Sequence, residues 1–367
     1  MKKVGRFFRH LCFLIPAVVA MILGFLLPHF PETTEKLFAQ GFFRVVSVPI
    51  GGLVSCLPFS LTEVLAVLAL PVLIFLLICL IRRLRRSSNR GKSLLRAGKG
   101  TGWVLSVAFL LYMLLHGLNF YRLPVGTLME LETVDFTAEQ LRDVCIDLAD
   151  QASMERESLT EDGSGCVRLS QSIGETLRLA DNGYRNLQDT YPFLFGGVFR
   201  AKPVQLSHWW SYTGITGMYF PMLAEANVNI DVPDSSIPAT AAHELAHTRG
   251  FAREDECNFL AYLTCINSDS ADYRYSGLLM AYIYCSNALY DYDTELWGET
   301  RAACSDGVRR DLEERNRYWE NFEGKVQEIS NNVNNSFLQS QGQESGVLSY
   351  SEVVSLIVSY SIQQGKI

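Results

Sequence analysis

Residues 240–247 read Thr-Ala-Ala-His-Glu-Leu-Ala-His, so two histidines stand four apart with a glutamate directly after the first. On a helix, positions i and i+4 share a face about 5–6 Å apart at Cβ. His243 and His247 can therefore both reach one Zn²⁺, and Glu244 can take a proton from a water held there. Zinc brings such a water to a pKa of about 7, which makes the chemistry hydrolytic at neutral pH. Histidine is scarce: beyond residue 120 it occurs only as His208, His243 and His247. Pro238 suits the first turn of the helix and Gly250 its end.

A catalytic zinc takes three protein ligands and keeps one position open. The pattern that continues H-x-x-G-x-x-H has its glycine at Gly250 but arginine, Arg253, where the third histidine belongs. His208 remains, as does a carboxylate from Glu254, Asp255 and Glu256. Counting three, four and seven residues on from Glu256 gives Phe259, Leu260 and Leu263, all apolar, so Glu256 lies on the buried face of the following helix. Glu256 is the preferred third ligand, because a buried carboxylate must be paired or metal-bound. An ion pair with Arg249 or Arg253 is the plainer alternative. Glu254, Asp255 and Glu225 are candidates to orient the ligating histidines. His208, Tyr219, Tyr273, Arg274 and Tyr275 are candidates to stabilise the developing oxyanion, although with 16 tyrosines each is more often structural. The stretch 224–229 reads as a strand. It is an edge that could pair with an extended peptide or an ordinary member of a sheet.

These residues sit in the acidic part of a divided chain of 367 residues. Residues 1–100 carry 14 basic and 3 acidic side chains; residues 101–367 carry 18 and 36. With 19% charged residues the chain is not a disordered polyelectrolyte, and its net charge of −7 argues against nucleic acid as a partner. Three apolar runs, about 11–29, 61–81 and 101–120, have the length of transmembrane helices. Lys2, Lys3, Arg6 and Arg9 precede the first, and the basic stretch 82–99 reads as a loop between the other two. The positive-inside rule puts both in the cytoplasm and residues 121–367 outside. The first run reads as an uncleaved anchor. Residues 42–57 are apolar but broken by Pro49, Gly51 and Gly52, and either lie along the interface or dip into it.

In the body, helices are expected over 136–156, 172–187, 239–248, 253–266, 275–290, 311–329 and 349–360. The alternation of Val228, Ile230 and Val232 reads as a strand, and 331–346 as a loop. The 275–290 helix is tyrosine-rich and short for a span, so it belongs to a core. The chain has nine cysteines and no C-x-x-C. A cysteine zinc site is thus not expected, and buried thiols are the plain reading.

The segments 214–221, 225–229, 243–247, 250–262, 273–277 and 346–350 together resemble domain-of-unknown-function family 3810, a group of bacterial membrane proteins with a predicted zinc peptidase motif. The resemblance spans nearly the whole chain and implies a zincin-like extracytoplasmic domain. The run Glu256-Cys-Asn-Phe-Leu-Ala261 is also similar to the Glu-Ala-Asn-x-Phe-Ala run that supplies the third ligand in peptidases resembling toxin-linked and stress-response regulators. That likeness implies Glu256 as ligand.

The expectation is therefore a mainly α protein: three N-terminal transmembrane helices in residues 1–120, then a zincin-like, mostly helical domain with a small β-sheet in 121–367. It would be a bacterial multi-pass membrane protein hydrolysing peptide or protein substrates at Zn²⁺ held by His243, His247 and Glu256, with Glu244 as general base. The rivals are a non-catalytic sensor or envelope-assembly protein with a structural zinc, and a hydrolase of cell-wall peptide.

Overall fold

A computed structural model describes residues 11–197, 199–340 and 350–366. The basic residues at 2–9, and residues 346–349 of the last resembling segment, lie outside the described residues. The fold is mainly helical around one three-stranded sheet.

Four N-terminal helical segments are long and apolar enough to cross a membrane: Cys12–His29, Pro31–Ser55, Leu61–Arg86 and Arg90–Leu115. Their central helices are α1 (Ile15–Leu26), α2 (Arg44–Ser55), α3 (Leu61–Arg86) and α4 (Arg90–Leu115). The segment 82–99 is not a loop. α3 runs through Arg86, and Asn89 opens α4 by accepting from Lys92 N at 2.9 Å. A helix keeps its backbone bonds beyond its apolar stretch, so the charges ride on helix ends, with only residues 87–89 between. α1 packs on α4, where Ala17 N donates to Ser106 Oγ. The apolar side chains of α3 from Val64 to Ile81 are largely exposed.

The Pro31–Ser55 segment is different, because it meets the body at both ends. Glu35 pairs with Arg122 at 2.7 Å, and Ser55 Oγ accepts from Arg200 N at 3.0 Å.

In the body, α5 (Ala138–Arg156) packs along α8 (Ala271–Tyr292), burying Leu141, Val144 and Leu148 against Leu278, Tyr282 and Leu289. Thr137 and Gln140 cap α5 reciprocally. The sheet has the order β1-β3-β2, with β1 (Lys202–Val204) parallel and β2 (Gly217–Phe220) antiparallel to the central β3 (Glu225–Asn229). α6 (Ile237–Thr248), α7 (Glu254–Ile266) and α8 follow and pack on one another. Next come α9 (Thr294–Ala303), α10 (Asp306–Glu320) and a helix Lys325–Ser340. The last helix is α11 (Tyr350–Gln363), laid on α7 and α8. Three boundaries differ from the sequence pattern. The 172–187 stretch is two helices, Ile173–Leu179 and Asn182–Leu187, and 311–329 is split at Asn321–Gly324. Residues 331–340 are helical, because their polar composition suits an exposed helix as well as a loop.

β3 is the main correction to the strand reading. It ends at Asn229, and it is central, not an edge. Ala226 and Val228 face the apolar core, whereas Glu225, Asn227 and Asn229 share the other face and are buried too. Their partners explain this. Glu225 accepts from Leu61 N, Thr62 N and Thr62 Oγ1, and Asn227 Oδ1 accepts from Ser60 Oγ. Asn229 donates to Ser211 Oγ and Ile215 O. Glu225 and Asn227 thus cap the start of α3, and Asn229 ties down the 211–215 turn, so the polar face meets protein instead of water.

Candidate metal centre

α6 begins with Pro238 in its first turn and ends where Gly250 takes φ +80°, a conformation that costs glycine little. Gly250 N donates to His247 O at 3.0 Å. Arg122 donates to the carbonyls of Arg249 and Gly250 while paired with Glu35, so a buried cation sits at the negative end of the helix. The chain turns over residues 250–253 and re-enters a helix at Glu254. Glu254 is therefore the first residue of α7, and its carboxylate reaches back over the histidine face of α6.

The geometry is convergent. Glu254 Oε2 lies 3.1 Å from His243 Nε2, and Glu254 Oε1 lies 3.7 Å from His247 Nε2. Single ligand atoms from the three residues all fall within 4.8 Å of one another. Bonds of about 2.0–2.1 Å to a tetrahedral centre imply ligand–ligand edges of about 3.3 Å. The donor set thus fits a zinc-sized cation with little movement. His247 Nδ1 stands 2.8 Å from Phe251 O. A carbonyl only accepts, so Nδ1 carries the proton and Nε2 presents its lone pair toward Glu254.

Glu256, the carboxylate favoured by helical phase, is not at this point. It is buried, as the periodicity requires, but accepts from Val125 N at 2.8 Å and stands 3.4 Å from Arg253. The Arg253 ion pair is what forms. Phase tells which face of a helix is buried, not which neighbour covers it.

Glu244 is buried, and its Oε2 has no hydrogen-bond partner among the described residues. Strand β2 passes close enough that a Cβ on Gly217 would stand 2.4 Å from Glu244 Oε1. Only glycine leaves room for the carboxylate there. The Tyr219 ring stacks on His247 at 5.8 Å and 21°. His116, one residue past the end of α4, completes the surroundings with its ring 5.9 Å from His247 and 5.7 Å from Tyr219.

Charge follows from burial and proximity. Burial opposes a charged His243, but the Glu254 carboxylate outweighs it and raises the imidazole to about 9. Burial likewise opposes a charged Glu254, yet the hydrogen bond from His243 and the nearby imidazoles hold it at about 2. Burial pushes Glu244 up to about 8 against the pull of His243. Burial lowers His247. A cation entering here must displace the His243 proton.

A family profile described as "Protein of unknown function (DUF3810)" matches residues 38–358. The chain belongs to the DUF3810 family. No curated protein and no solved structure matches the chain. The matched region of this DUF3810 chain holds every residue of the candidate site.

The other sequence candidates disperse. His208 pairs with Asp231 at 3.0 Å within an aromatic cluster of Trp209, Tyr212 and Phe322. Glu225 caps α3. Tyr275 donates to Asp311, Tyr273 to Thr176 O, and Arg274 pairs with Glu155. Asp255 is buried beside Glu256, and burial with that neighbouring charge raises it to about 7. Of the residues named for oxyanion stabilisation, Tyr219 alone lies against the histidine pair. His116 and Gly217 were not singled out by the motif. The scarcity of histidine is the signal that points to His116, since it lies at the end of an apolar run where no packing need calls for an imidazole.

Proposed function

We propose that this protein is a membrane-anchored zinc metallopeptidase whose zinc is held by His243, His247 and Glu254. The observation that carries the reading is the convergence of both Nε2 atoms on the Glu254 carboxylate, with the partnerless Glu244 Oε2 beside them. Zinc at such a site supplies a Lewis acid for the scissile carbonyl and an acidified water. Glu244 takes the proton from the attacking water and passes it to the leaving amine. Its carboxylate is buried beside the two imidazoles, with Oε2 left without a hydrogen-bond partner among the described residues. Tyr219 and His116 line the site as candidate partners for the carbonyl oxygen. β2 has no strand partner on its outer side among the described residues, so an extended peptide could pair there with its carbonyl near Glu244.

The body would lie outside the cytoplasm. The basic residues between Arg82 and Lys99 cluster at the turn from α3 to α4, which the positive-inside rule keeps in the cytoplasm. The opposite ends of the same two helices join the body. The domain would be zincin-like in placing its general base on the metal-binding helix.

The test is zinc content and hydrolysis by the full chain in lipid nanodiscs. One zinc per chain, lost in His247→Ala and Glu254→Ala, with cleavage of unfolded protein lost in Glu244→Gln while zinc is kept, supports the enzyme. Zinc retained with no Glu244-dependent cleavage of unfolded protein or peptidoglycan peptide supports a structural zinc in a sensor or assembly protein. Cleavage of peptidoglycan peptide alone moves the substrate to the cell wall.

A further inference from the structure

We infer that the substrate is a polypeptide anchored in the same membrane and cut close to its anchor. This rests on the peptidase reading and adds where on a substrate the site works.

Three observations carry it. The first is the height of the site. Leu111 is the last apolar side chain of α4 that is substantially exposed, and His116 follows five residues later. At 1.5 Å per residue that is about 7–8 Å along the helix. The His116 ring is then 5.9 Å from that of His247. Allowing about 3–4 Å for the His116 side chain, the histidine pair thus stands within about 17 Å of the exposed Leu111 by this helical rise.

The second is the Pro31–Ser55 segment. Its inward face is fastened to the site: Ser47 Oγ donates to Thr248 O, the residue after His247, at 3.3 Å. Phe43 packs where Gly250 ends α6. Phe38 and Phe43 also join Ala20 and Met113 of the spanning helices in one apolar cluster. Its outward face carries Leu37, Val45 and Leu53, exposed by 71%, 72% and 76%. These exposed apolar side chains, with Lys36 and Gln40 exposed beside Leu37, suit a segment that lies at the lipid surface with its apolar side chains in the acyl region and its polar ones toward the headgroups. The site helix α6 therefore rests on a platform whose far side is in the bilayer.

The third is the place of β2 at an edge of the sheet, with no strand on its outer side among the described residues, where an extended chain could add as a further strand. A folded soluble protein cannot bring a loop to this height without pressing its own bulk into lipid. A chain leaving the bilayer covers about 17 Å in about five extended residues.

The experiment uses the full chain, zinc-loaded, in liposomes. The probe is an unstructured 40-residue tail of mixed composition, either following a single transmembrane helix or free in solution. The expected result is cutting of the anchored tail at least ten-fold faster, at positions within about ten residues of the helix, and abolished by Glu244→Gln. Equal rates, or cuts spread along the tail, overturn the inference while leaving the peptidase intact. A second measurement does not depend on activity. A fluorescent amino acid replacing Met218, exposed on β2, should be quenched by lipids carrying a nitroxide at the headgroup. Absence of quenching overturns the inference directly. Quenching with neither tail cut sinks the peptidase reading and the inference with it.

Discussion

Among the described residues, two places in the body gather three side chains of metal-ligand type: His243, His247 and Glu254, and Cys166, Asp311 and Glu314. They differ in how their lone pairs are spent. Asp311 accepts from Arg156 Nε at 2.6 Å, Tyr275 Oη at 2.5 Å and Val167 N at 2.8 Å. Glu314 Oε1 accepts from Arg168, leaving Glu314 Oε2 as the only unpartnered carboxylate oxygen of that group. The charge of Asp311 is thus matched by a buried guanidinium. Around Glu254 no lysine or arginine is paired with the carboxylate among the described residues, and its neighbours are two imidazoles that are themselves ligands. Proximity of ligand types is common to both. What separates a candidate cation site from a structural knot is whether the donors already have protons or cations to hold.

That contrast can be broken in graded ways. The largest expected effect is on zinc content: His247→Ala and Glu254→Ala should drop it from about one per chain to none by elemental mass spectrometry, while Asp311→Asn leaves it unchanged. A chelator should lower the melting temperature of the native chain and not that of His247→Ala. Next, Glu244→Gln should keep zinc and lower the peptide cleavage rate by about 10²–10⁴-fold, read in single-turnover assays. Gly217→Ala should also lower cleavage at constant zinc, since its methyl displaces the Glu244 carboxylate. Asp311→Asn should cost about 3 kcal/mol in denaturant unfolding, because Arg156 is then left buried with its main counter-charge gone. The smallest effect is Glu256→Gln, which removes a charge but keeps an acceptor for Val125 N. It should cost about 1 kcal/mol and leave zinc content intact. A loss of zinc in Glu256→Gln with retention in Glu254→Ala would reverse the assignment of the third carboxylate.

The two carboxylates show how far local pattern reaches. Phe259, Leu260 and Leu263 place Glu256 on the buried face of α7, and it is buried. The partner across that face is Val125, because residues 121–128 pass there after leaving α4, and Arg253, three residues before Glu256, adds a local ion pair. Glu254 has no periodic signal, since it stands at the helix start, where phase carries little weight. Its role comes from the direction in which the chain re-enters after Gly250. β3 gives the same lesson. Its alternation of Glu225, Asn227 and Asn229 with Ala226 and Val228 is plain in the sequence, but alternation ordinarily means one wet face. Here the polar face is dry because the start of α3 brings its own unsatisfied backbone N–H groups to it.

The sequence by itself determined three of the four apolar helical segments, the mainly helical body, the H-E-x-x-H helix with its proline start and glycine stop, and the core character of α8. Each depends on residues within a few turns of one another, where spacing, capping and hydropathy are sufficient physics. The tertiary structure alone decided which carboxylate meets the histidines, that β3 is central with β1 and β2 at the edges, and that His116, just past the end of the apolar helix α4, lies against His247. Those are meetings of residues 5 to 131 positions apart in the chain, set by how whole elements pack, and no local period encodes them.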